Sequence, residues 1–428
     1  MPTNFISKAK RAIAKTSPEQ TKMTEEEFTM DFPSEIVKEG KVKALVPKLK
    51  AFAKQPSDYA PSKAPVFYNP VMELNRDIAV LAFQAYQRMV NREITICEPL
   101  TSSGIRGVRF ATEIHGVKKV LISDINERAF KLAKHNVQLN NLQKRITVKH
   151  EDANCLLSCH GAPRKRFNAV DVDPFGSPAP YLDSAIRALR NNGFLAVTAT
   201  DLAPLCGVHT KACVRKYGGK PLRAEYCHEL AVRLLAGCVA TLAAKHDIGI
   251  RLVFSHSTDH YIRVYAEIAY GAKKADESVK NLGHVLHCFN CLHRETAKKP
   301  FTKRIENCPE CGSKMDYAGP LWLEKICDKQ FCEAMTKENT RVAFRNSGKI
   351  AKLLSLAKNE AEAPATYYVL DKISNKLALP VPSVDVMLQT LRDNGFQAFP
   401  THFSSRGIKT DAPALSMQRF LRKALATS

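Results

Sequence analysis

The chain has 428 residues, with 64 Lys and Arg against 42 Asp and Glu, for a formal net charge of +22 at pH 7. With 45% hydrophobic and 25% charged residues it is neither collagen-like nor wholly disordered, and its length suits two or three domains of roughly 100–200 residues each. No uninterrupted apolar run reaches the roughly 18–20 residues that cross a bilayer, and no apolar segment follows the basic start, which argues against membrane insertion and secretion.

Such a charge favours a polyanionic partner, nucleic acid first, because Lys and Arg that neutralise phosphates release condensed counterions. Charge kept only for solubility is the other reading. The excess is spread along the chain and sits in no single tail. Thirteen cysteines, an odd number, mostly stand alone in apolar surroundings, as at Cys97, Cys155 and Cys238. That pattern fits a reducing compartment better than a disulfide framework.

Residues 1–35 mix Lys, Ser and Thr with the acidic run Glu25-Glu26-Glu27 and hold no sustained apolar period, so a loosely ordered tail is expected there. Its acid-free start, with Lys8, Lys10, Arg11 and Lys15, also fits a mitochondrial presequence. Strand-like pieces at 36–37 and 42–46 lead through a Pro- and Ser-bearing loop to a helix predicted from 72 to about 90. Apolar runs at 94–97, 120–123, 146–150, 169–172, 194–198, 250–254 and 261–269 read as buried strands, with helical periodicity between them at 104–115, 126–140, 178–191 and 222–246. This alternation predicts an α/β, doubly wound sheet whose interior strands are parallel and covered on both faces. The last two runs are six residues apart, too close for a crossover helix, so they form an antiparallel hairpin.

After Gly271 comes a Cys- and Lys-rich segment at roughly 284–318, then a helical region from Trp322 to about Ala361. The end of the chain reads as a winged helix. A helix at 368–377, a break at Pro380-Val381-Pro382, Ser383 as N-cap, a helix at 384–394 closed by Gly395, a strand at 396–403 and a turn at 404–407 follow one another. The expected division is a loosely ordered basic tail at 1–35, an α/β catalytic domain at 36–275, a zinc-binding segment at 276–320 and a smaller α+β C-terminal RNA-binding domain at 321–428, winged-helix-like at 366–412.

Ligands of doubly wound sheets bind outside the carboxyl ends of the strands, where the strand order reverses. After the first run, Glu98-Pro99-Leu100-Thr101-Ser102-Ser103-Gly104-Ile105-Arg106-Gly107 is a glycine-bearing turn that lets the backbone approach a ligand, or simply turns tightly. Asp124 ends the second run about twenty residues after Gly104, where a carboxylate can accept both hydroxyls of a ribose. Asp152-Ala153 follow the third run, where an acid beside a small residue can meet an adenine. Each acid is also placed to cap the helix behind it.

The fourth run leads into Asp173-Pro174-Phe175-Gly176. An exocyclic amine on a nucleobase is a poor nucleophile because its lone pair is delocalised into the ring. Methylating it requires an acceptor for its N–H bonds, a carbonyl beside it and a platform that stacks the base. Asp173, the Pro174 carbonyl and Phe175 supply these three; a capped turn is the other reading. Cys206, near the end of the fifth run, stands where a ring-carbon methyltransferase would need a thiolate. The Asp-Pro-Phe motif suits an amine, so Cys206 reads as a thiol behind the site.

Cys288-x2-Cys291 and Cys308-x2-Cys311, sixteen residues apart, have zinc-ribbon spacing. Such turns present four thiolates at about 2.3 Å from a zinc ion and fill its coordination sphere, which makes the site structural. Disulfides are the alternative, and His287 and His293 are expected at the surface. Arg392, His402, Arg406 and Lys409 in the winged segment can contact phosphates or pack onto the rest of the protein.

Val66-Phe67-Tyr68-Asn69-Pro70, Asn75-Arg76-Asp77, the stretch from Gly104 to Phe110, Asn136 to Asn140, Asp171 to Pro178, Thr200 to Gly207 and Lys409-Thr410 together resemble the tRNA guanine-26 N2-dimethyltransferase family, over roughly residues 36–413. The resemblance implies a Rossmann-like class I methyltransferase sheet ending in the antiparallel hairpin. It implies S-adenosyl-L-methionine as donor and tRNA as partner, with no membrane and no obligate protein partner. A cytoplasmic location follows, nuclear or mitochondrial in a eukaryotic source. By the same resemblance Arg76, Arg106, Asp124, Asp152 and Ala153 would hold the donor, Asp173 the guanine amine, and Phe67 and Phe175 would be stacking walls. Glu98 stands where many relatives have Asp, and Thr101-Ser102-Ser103 replaces a more usual small run. Two other functions fit the residues: an N6-adenine methyltransferase on DNA or ribosomal RNA, and a non-catalytic RNA-binding protein on the same fold.

Overall fold

The computed structural model describes residues 29–53, 55, 60–298 and 307–426. The basic start, and with it the presequence reading, lies outside the described residues. A hairpin of β1 (Ser34–Glu39) and β2 (Val42–Pro47) is followed by the short α1 (Ala60–Lys63) and the long α2 (Glu73–Val90). Then β3 (Ile94–Glu98), α3 (Ile105–Glu113), β4 (Val117–Asp124), α4 (Glu127–Leu139), β5 (Ile146–His150), α5 (Ala153–Cys159), β6 (Phe167–Val172), α6 (Leu182–Arg187) and β7 (Leu189–Ala199) alternate. Three helices, α7 (Leu202–Leu205), α8 (Thr210–Tyr217) and α9 (Cys227–Ala244), precede the hairpin of β8 (Ile248–Thr258) and β9 (Tyr261–Tyr270).

These strands form one seven-stranded sheet in the order β5-β4-β3-β6-β7-β9-β8. Neighbours from β5 to β7 are parallel, and β9 runs antiparallel to both β7 and β8. The predicted α/β sheet with its terminal hairpin is therefore present. The hairpin turn is tighter than six residues: β8 continues to Thr258, which leaves only Asp259 and His260, with Asp259 at φ +49°.

Burial on both faces explains why continuous apolar runs mark the interior strands; every residue of β6 is buried. Phe194 of β7 shows the packing, with ring centroids 5.2 Å from Phe83 and 4.7 Å from Tyr86 of α2 and 5.9 Å from Tyr265 of β9. Full burial of one such ring contributes about 1.5–3 kcal/mol. Helix α9 has the length and apolar content of a bilayer span, yet it lies in the core and carries the buried Glu229 and Arg233.

Several boundaries differ from expectation. The helix read at 178–191 ends at Arg187, because β7 already starts at Leu189 and its exposed residues Arg190, Asn191 and Asn192 are polar and carry no apolar signal. Helix α9 starts at Cys227, not 222. Trp322 closes a strand instead of opening a helix. The C-terminal half comprises α10 (Ala272–Val279), β10 (Leu282–His287), β11 (Arg294–Ala297), β12 (Asp316–Trp322), α11 (Lys329–Arg341), α12 (Ser347–Asn359), β13 (Tyr368–Val369), α13 (Leu370–Leu377), α14 (Val384–Asp393), β14 (Ala398–Thr401), β15 (Ser404–Thr410) and α15 (Ala414–Ala426). Two small sheets, β11-β10-β12 and β13-β15-β14, hold these strands.

The main core crosses the expected divisions at 276 and 321. One continuous core joins the large sheet to Val285, Leu321 and Trp322 of the Cys-rich sheet and to Phe331, Met335, Ile350 and Leu354 of α11 and α12. The composition shift after Gly271 marks a cysteine-bearing knuckle with a small cluster of its own, formed by Leu286, Cys288, Cys291, Cys308 and Met315. A second core begins at Tyr368 and includes Met417, Phe420, Leu421 and Ala424 of α15, so the small domain extends past 412. Within it Ser383 caps α14 by accepting from the Val386 amide at 3.2 Å, as predicted. Residues 404–407 lie in β15, and the turn is His402-Phe403. At the other end, the tail ends earlier than residue 35: Phe32 is buried against Val66, Ala129 and Leu132.

Candidate active site

Pairing between β3 and β6 stops at Cys97 and Val170, where the strand order reverses. Beyond that point the two carboxyl ends part around a cavity of about 620 Å³. Six of the predicted residues line it: Phe67, Arg76, Arg106, Asp173, Pro174 and Phe175. Asp124, Asp152 and Ala153 do not. Asp124 accepts from the backbone amides of Ser102 at 2.8 Å and Asn126 at 2.9 Å. Asp152 caps α5 by accepting from Asn154 at 2.9 Å and Cys155 at 3.0 Å, and Ala153 is the buried first residue of that helix. Asp124 nonetheless touches the cavity through Ser102, which lines it.

Gly104 begins α3 at φ +77°, and a Cβ there would lie 2.9 Å from the Ala133 Cβ of α4. The glycine therefore lets the turn after β3 press against α4, where Asn136 donates to the Ser103 carbonyl at 2.8 Å. The same Asn136 accepts from the Leu45 amide at 2.7 Å and donates to its carbonyl at 2.9 Å, and Asn140 pairs with Lys43 in the same way. These two amides replace strand partners for β2 and fix the β1–β2 hairpin to the site.

What that hairpin brings is Glu39, which sequence reasoning missed. Its carboxylate takes Arg76 at 2.6 and 2.7 Å and Arg109 at 2.9 Å. Arg109 also holds Asp77 at 2.7 Å and Glu113 at 3.0 Å. Arg76 is thus fixed at the cavity wall with its Nε and one Nη already occupied.

Below the cavity floor lies a second ionic cluster. Arg106 hydrogen-bonds Asp173 Oδ2 and donates to Asn75 Oδ1 at 2.9 Å, with Glu98 at 3.7 Å and Asp171 at 3.6 Å. Arg263 of β9 grips Asp171 at 2.7 and 2.8 Å and lies 3.8 Å from Asp173. Burial pushes the Asp173 carboxyl upward, but Arg106, Arg263 and the Thr198 hydroxyl outweigh it and hold its pKa below the ordinary value. Asp173 is therefore an anion at neutral pH. Glu98 goes the other way: burial pushes it up to about 8 despite Arg106. Two opposite charges inside apolar strands, Asp171 and Arg263, were the available sequence signal for this cluster.

Phe67 and Phe175 face each other with centroids 5.7 Å apart and planes tilted by 59°. Phe175 is 73% exposed, so its ring is free to receive a partner. Its loop is braced from behind: Gly176 donates to the Thr200 hydroxyl at 2.7 Å, and Ser177 joins Tyr217, which donates to Asp201 at 2.6 Å. Cys206 does not line the cavity.

The four cysteines of the ribbon converge. Cys288 and Cys311 sulfurs are 3.5 Å apart and Cys291 and Cys308 3.4 Å, with all four within 4.8 Å of one another. A tetrahedral zinc ion with bonds of about 2.3 Å has edges of about 3.8 Å, so the donor set fits that ion. The flanking histidines are not surface residues. His287 is fully buried against Tyr226 and Phe289, and the half-buried His293 bonds Glu310 at 3.0 Å.

A comparison with family models matches residues 40–422 to the family described as N2,N2-dimethylguanosine tRNA methyltransferase. The chain belongs to this family. Among this methyltransferase family's members, the tRNA (guanine(26)-N(2))-dimethyltransferase of Methanobrevibacter smithii is 44% identical over 392 residues, covering 92% of this chain and 98% of that relative. The protein of the same description from Methanosphaera stadtmanae is 39% identical over 386 residues, covering 90% and 96%. Trm1 from Pyrococcus horikoshii, solved in complex with S-adenosyl-L-methionine, is 35% identical and superposes with a TM-score of 0.78, covering 90% of this chain and 99% of that one.

In this methyltransferase the winged segment is largely packed, against the phosphate-contact reading. Lys409, 1% exposed, bonds Glu229 of α9 at 2.8 Å, and the buried His402 side chain bonds Glu360. Arg392 donates to the Ala398 carbonyl at 2.7 Å. Arg392 and Arg406 remain exposed, and Arg406 lies 3.8 Å from Asp371.

Proposed function

We propose that this chain transfers methyl groups from S-adenosyl-L-methionine to the exocyclic N2 of guanine 26 in tRNA, forming N2-methyl- and N2,N2-dimethylguanosine in the cytoplasm. The carrying observation is an ionised Asp173, backed by two arginines, between two aromatic rings at the strand-order reversal, in a chain 44% identical to a tRNA (guanine(26)-N(2))-dimethyltransferase.

When bound, the donor supplies an electrophilic methyl group on a positively charged sulfur. Two buried donors beside the cavity, Asn75 Nδ2 and Arg106 Nη1, make no hydrogen bond among the described residues, although Arg106 Nη1 lies 3.6 Å from Asp171, and they suit an anionic group such as the donor's carboxylate. We assign Arg76 and Arg106 to that end of the cavity, Asp124 to the ribose hydroxyls, and Asp152 and Ala153 to the adenine at the end of β5.

The base must leave its stack to reach this pocket. Phe67 and Phe175 would hold its faces, and stacking of this kind is worth about 1–3 kcal/mol per base. Asp173 accepts an N–H from N2 and the Pro174 carbonyl takes the other, which turns the nitrogen lone pair toward the methyl group. The proton that N2 loses after transfer passes to a carboxylate oxygen of Asp173 and on to water. No covalent bond to the enzyme forms. We further propose that Cys288, Cys291, Cys308 and Cys311 hold a structural zinc ion.

Asp173→Ala should abolish transfer of labelled methyl to tRNA while donor binding persists; undiminished turnover would refute the role. Nucleoside analysis that finds N6-methyladenosine would overturn the assigned base, and a chain that binds no donor in titration calorimetry would return the non-catalytic reading.

A further inference from the structure

Helix α9 opens with Cys227-His228-Glu229, and the segment after β7 ends in Cys206-Gly207. We propose that Cys206, Cys227 and His228 form a second zinc site, distinct from the four-cysteine centre, that pins the segment after β7 to the start of α9. The ligand atoms of these three residues all lie within 4.8 Å of one another. Around a tetrahedral zinc ion, bonds of about 2.3 Å to sulfur and 2.0–2.1 Å to nitrogen give edges of about 3.4–3.8 Å. The cluster needs to close by at most about 1.0–1.4 Å. All three side chains are half-buried, so a fourth position remains open to water.

The backbone holds the two segments together without help from the ligands. Gly207 sits at φ +90°, and a Cβ on it would come 2.8 Å from the Arg223 amide nitrogen and 2.9 Å from the Leu222 carbonyl carbon.

Neighbouring carboxylates are already committed elsewhere. Glu225 is held by Arg294 at 2.7 Å, and Glu229 by Arg233 and Lys409, each at 2.8 Å. Two thiolates and an imidazole therefore define the site, a donor set that favours zinc over magnesium or calcium. Its position gives it a consequence for the pocket. The pinned segment begins at Thr200 and Asp201, which brace the Phe175 loop, and Glu229 anchors the small domain through Lys409.

The test is a metal count on the full chain, reduced, saturated with zinc and freed of excess. Replacing both Cys206 and Cys227 by Ser should remove one equivalent of zinc per chain while donor binding, which reports an intact fold, persists. His228→Ala, which keeps both thiols, should weaken that equivalent by at least about tenfold in competition with a chelating dye. If the double variant does not fold, cadmium NMR of the unaltered protein decides, with one resonance expected for four sulfurs and a second for two sulfurs and a nitrogen. An unchanged zinc count, a single four-sulfur resonance, or a disulfide between Cys206 and Cys227 in the reduced protein would overturn the proposal.

Discussion

Arg263→Met is the sharpest test of the ionic floor beneath Asp173. The guanidinium is fully buried and donates to Asp171 at 2.7 and 2.8 Å, to the Tyr265 hydroxyl at 2.7 Å, and to the Thr198 hydroxyl. Removing it leaves Asp171, also fully buried, with only Arg106 at 3.6 Å. Breaking a buried pair from one side costs about 3–5 kcal/mol, and the remaining arginine argues for the lower end, about 3 kcal/mol. The double variant Asp171→Leu with Arg263→Met removes both charges and should recover much of that loss, because a buried pair exchanged for apolar side chains is often neutral. Urea denaturation of the wild type, both single variants and the double variant measures the coupling. Catalysis gives an independent readout: Arg263 helps hold Asp173 ionised, so the acid limb of the methyl-transfer pH profile should move upward in Arg263→Met. A loss below about 1 kcal/mol, or a double variant no more stable than Arg263→Met, would refute the account.

Glu98 is raised in the folded chain to about 8 from 4.5, so the folded state keeps a proton that the unfolded chain releases. Its contribution to stability is complete below 4.5 and is lost as pH rises to about 8; Glu98→Gln should flatten that decline in a melting series, and an unchanged slope would contradict it. Phe175→Ala should lower kcat/KM for tRNA by about 10- to 100-fold at an unchanged folding midpoint, because the ring is 73% exposed and packs little in the free protein. Chelation of zinc, or Cys291→Ser, should lower the melting temperature through the β11-β10-β12 sheet, and an unaltered melt would remove the structural role from the four-cysteine centre. The KM for tRNA should climb steeply with salt while donor affinity stays nearly constant; equal sensitivity of the two would count against a phosphate-driven interface.

Elements whose signal is local were legible. Interior strands such as β6 are apolar because both faces are covered, and the spacing of Cys288, Cys291, Cys308 and Cys311 encodes their geometry directly. The place of Asp173-Pro174-Phe175 at the cavity was legible because the triplet directly follows an apolar run at a strand's carboxyl end. Partnerships between distant residues left no such mark. Asp171 and Arg263 are 92 residues apart, and Glu229 and Lys409 are 180 apart. Phosphate contact and packing therefore both stayed open for Lys409, since a basic residue in a short strand looks the same whether it meets phosphate or a buried glutamate. The exposed polar start of β7 and the strands of the cysteine-rich sheet failed for a related reason: their side chains follow solvent and knuckle, while their backbone follows the sheet.

The buried ions also bear on the net charge of +22. Among the described residues the buried cations are Arg76, Arg106, Arg109, Arg233, Arg263 and Lys409. The buried acids are Glu39, Asp77, Glu98, Glu113, Asp171, Glu229, Glu338 and Glu360. The interior therefore uses more carboxylates than cations, and internal pairing cannot account for the excess of Lys and Arg. Even with Glu98 protonated, the buried side chains among the described residues carry a net negative charge, so none of the formal excess comes from them. A surface charge of that size repels itself unless an anion is present, and a folded tRNA presents phosphates on several sides of its core at once. Cations spread around the molecule fit such a partner better than a single patch would, because the base to be methylated lies inside the fold of the RNA and its backbone must be held on either side of the pocket.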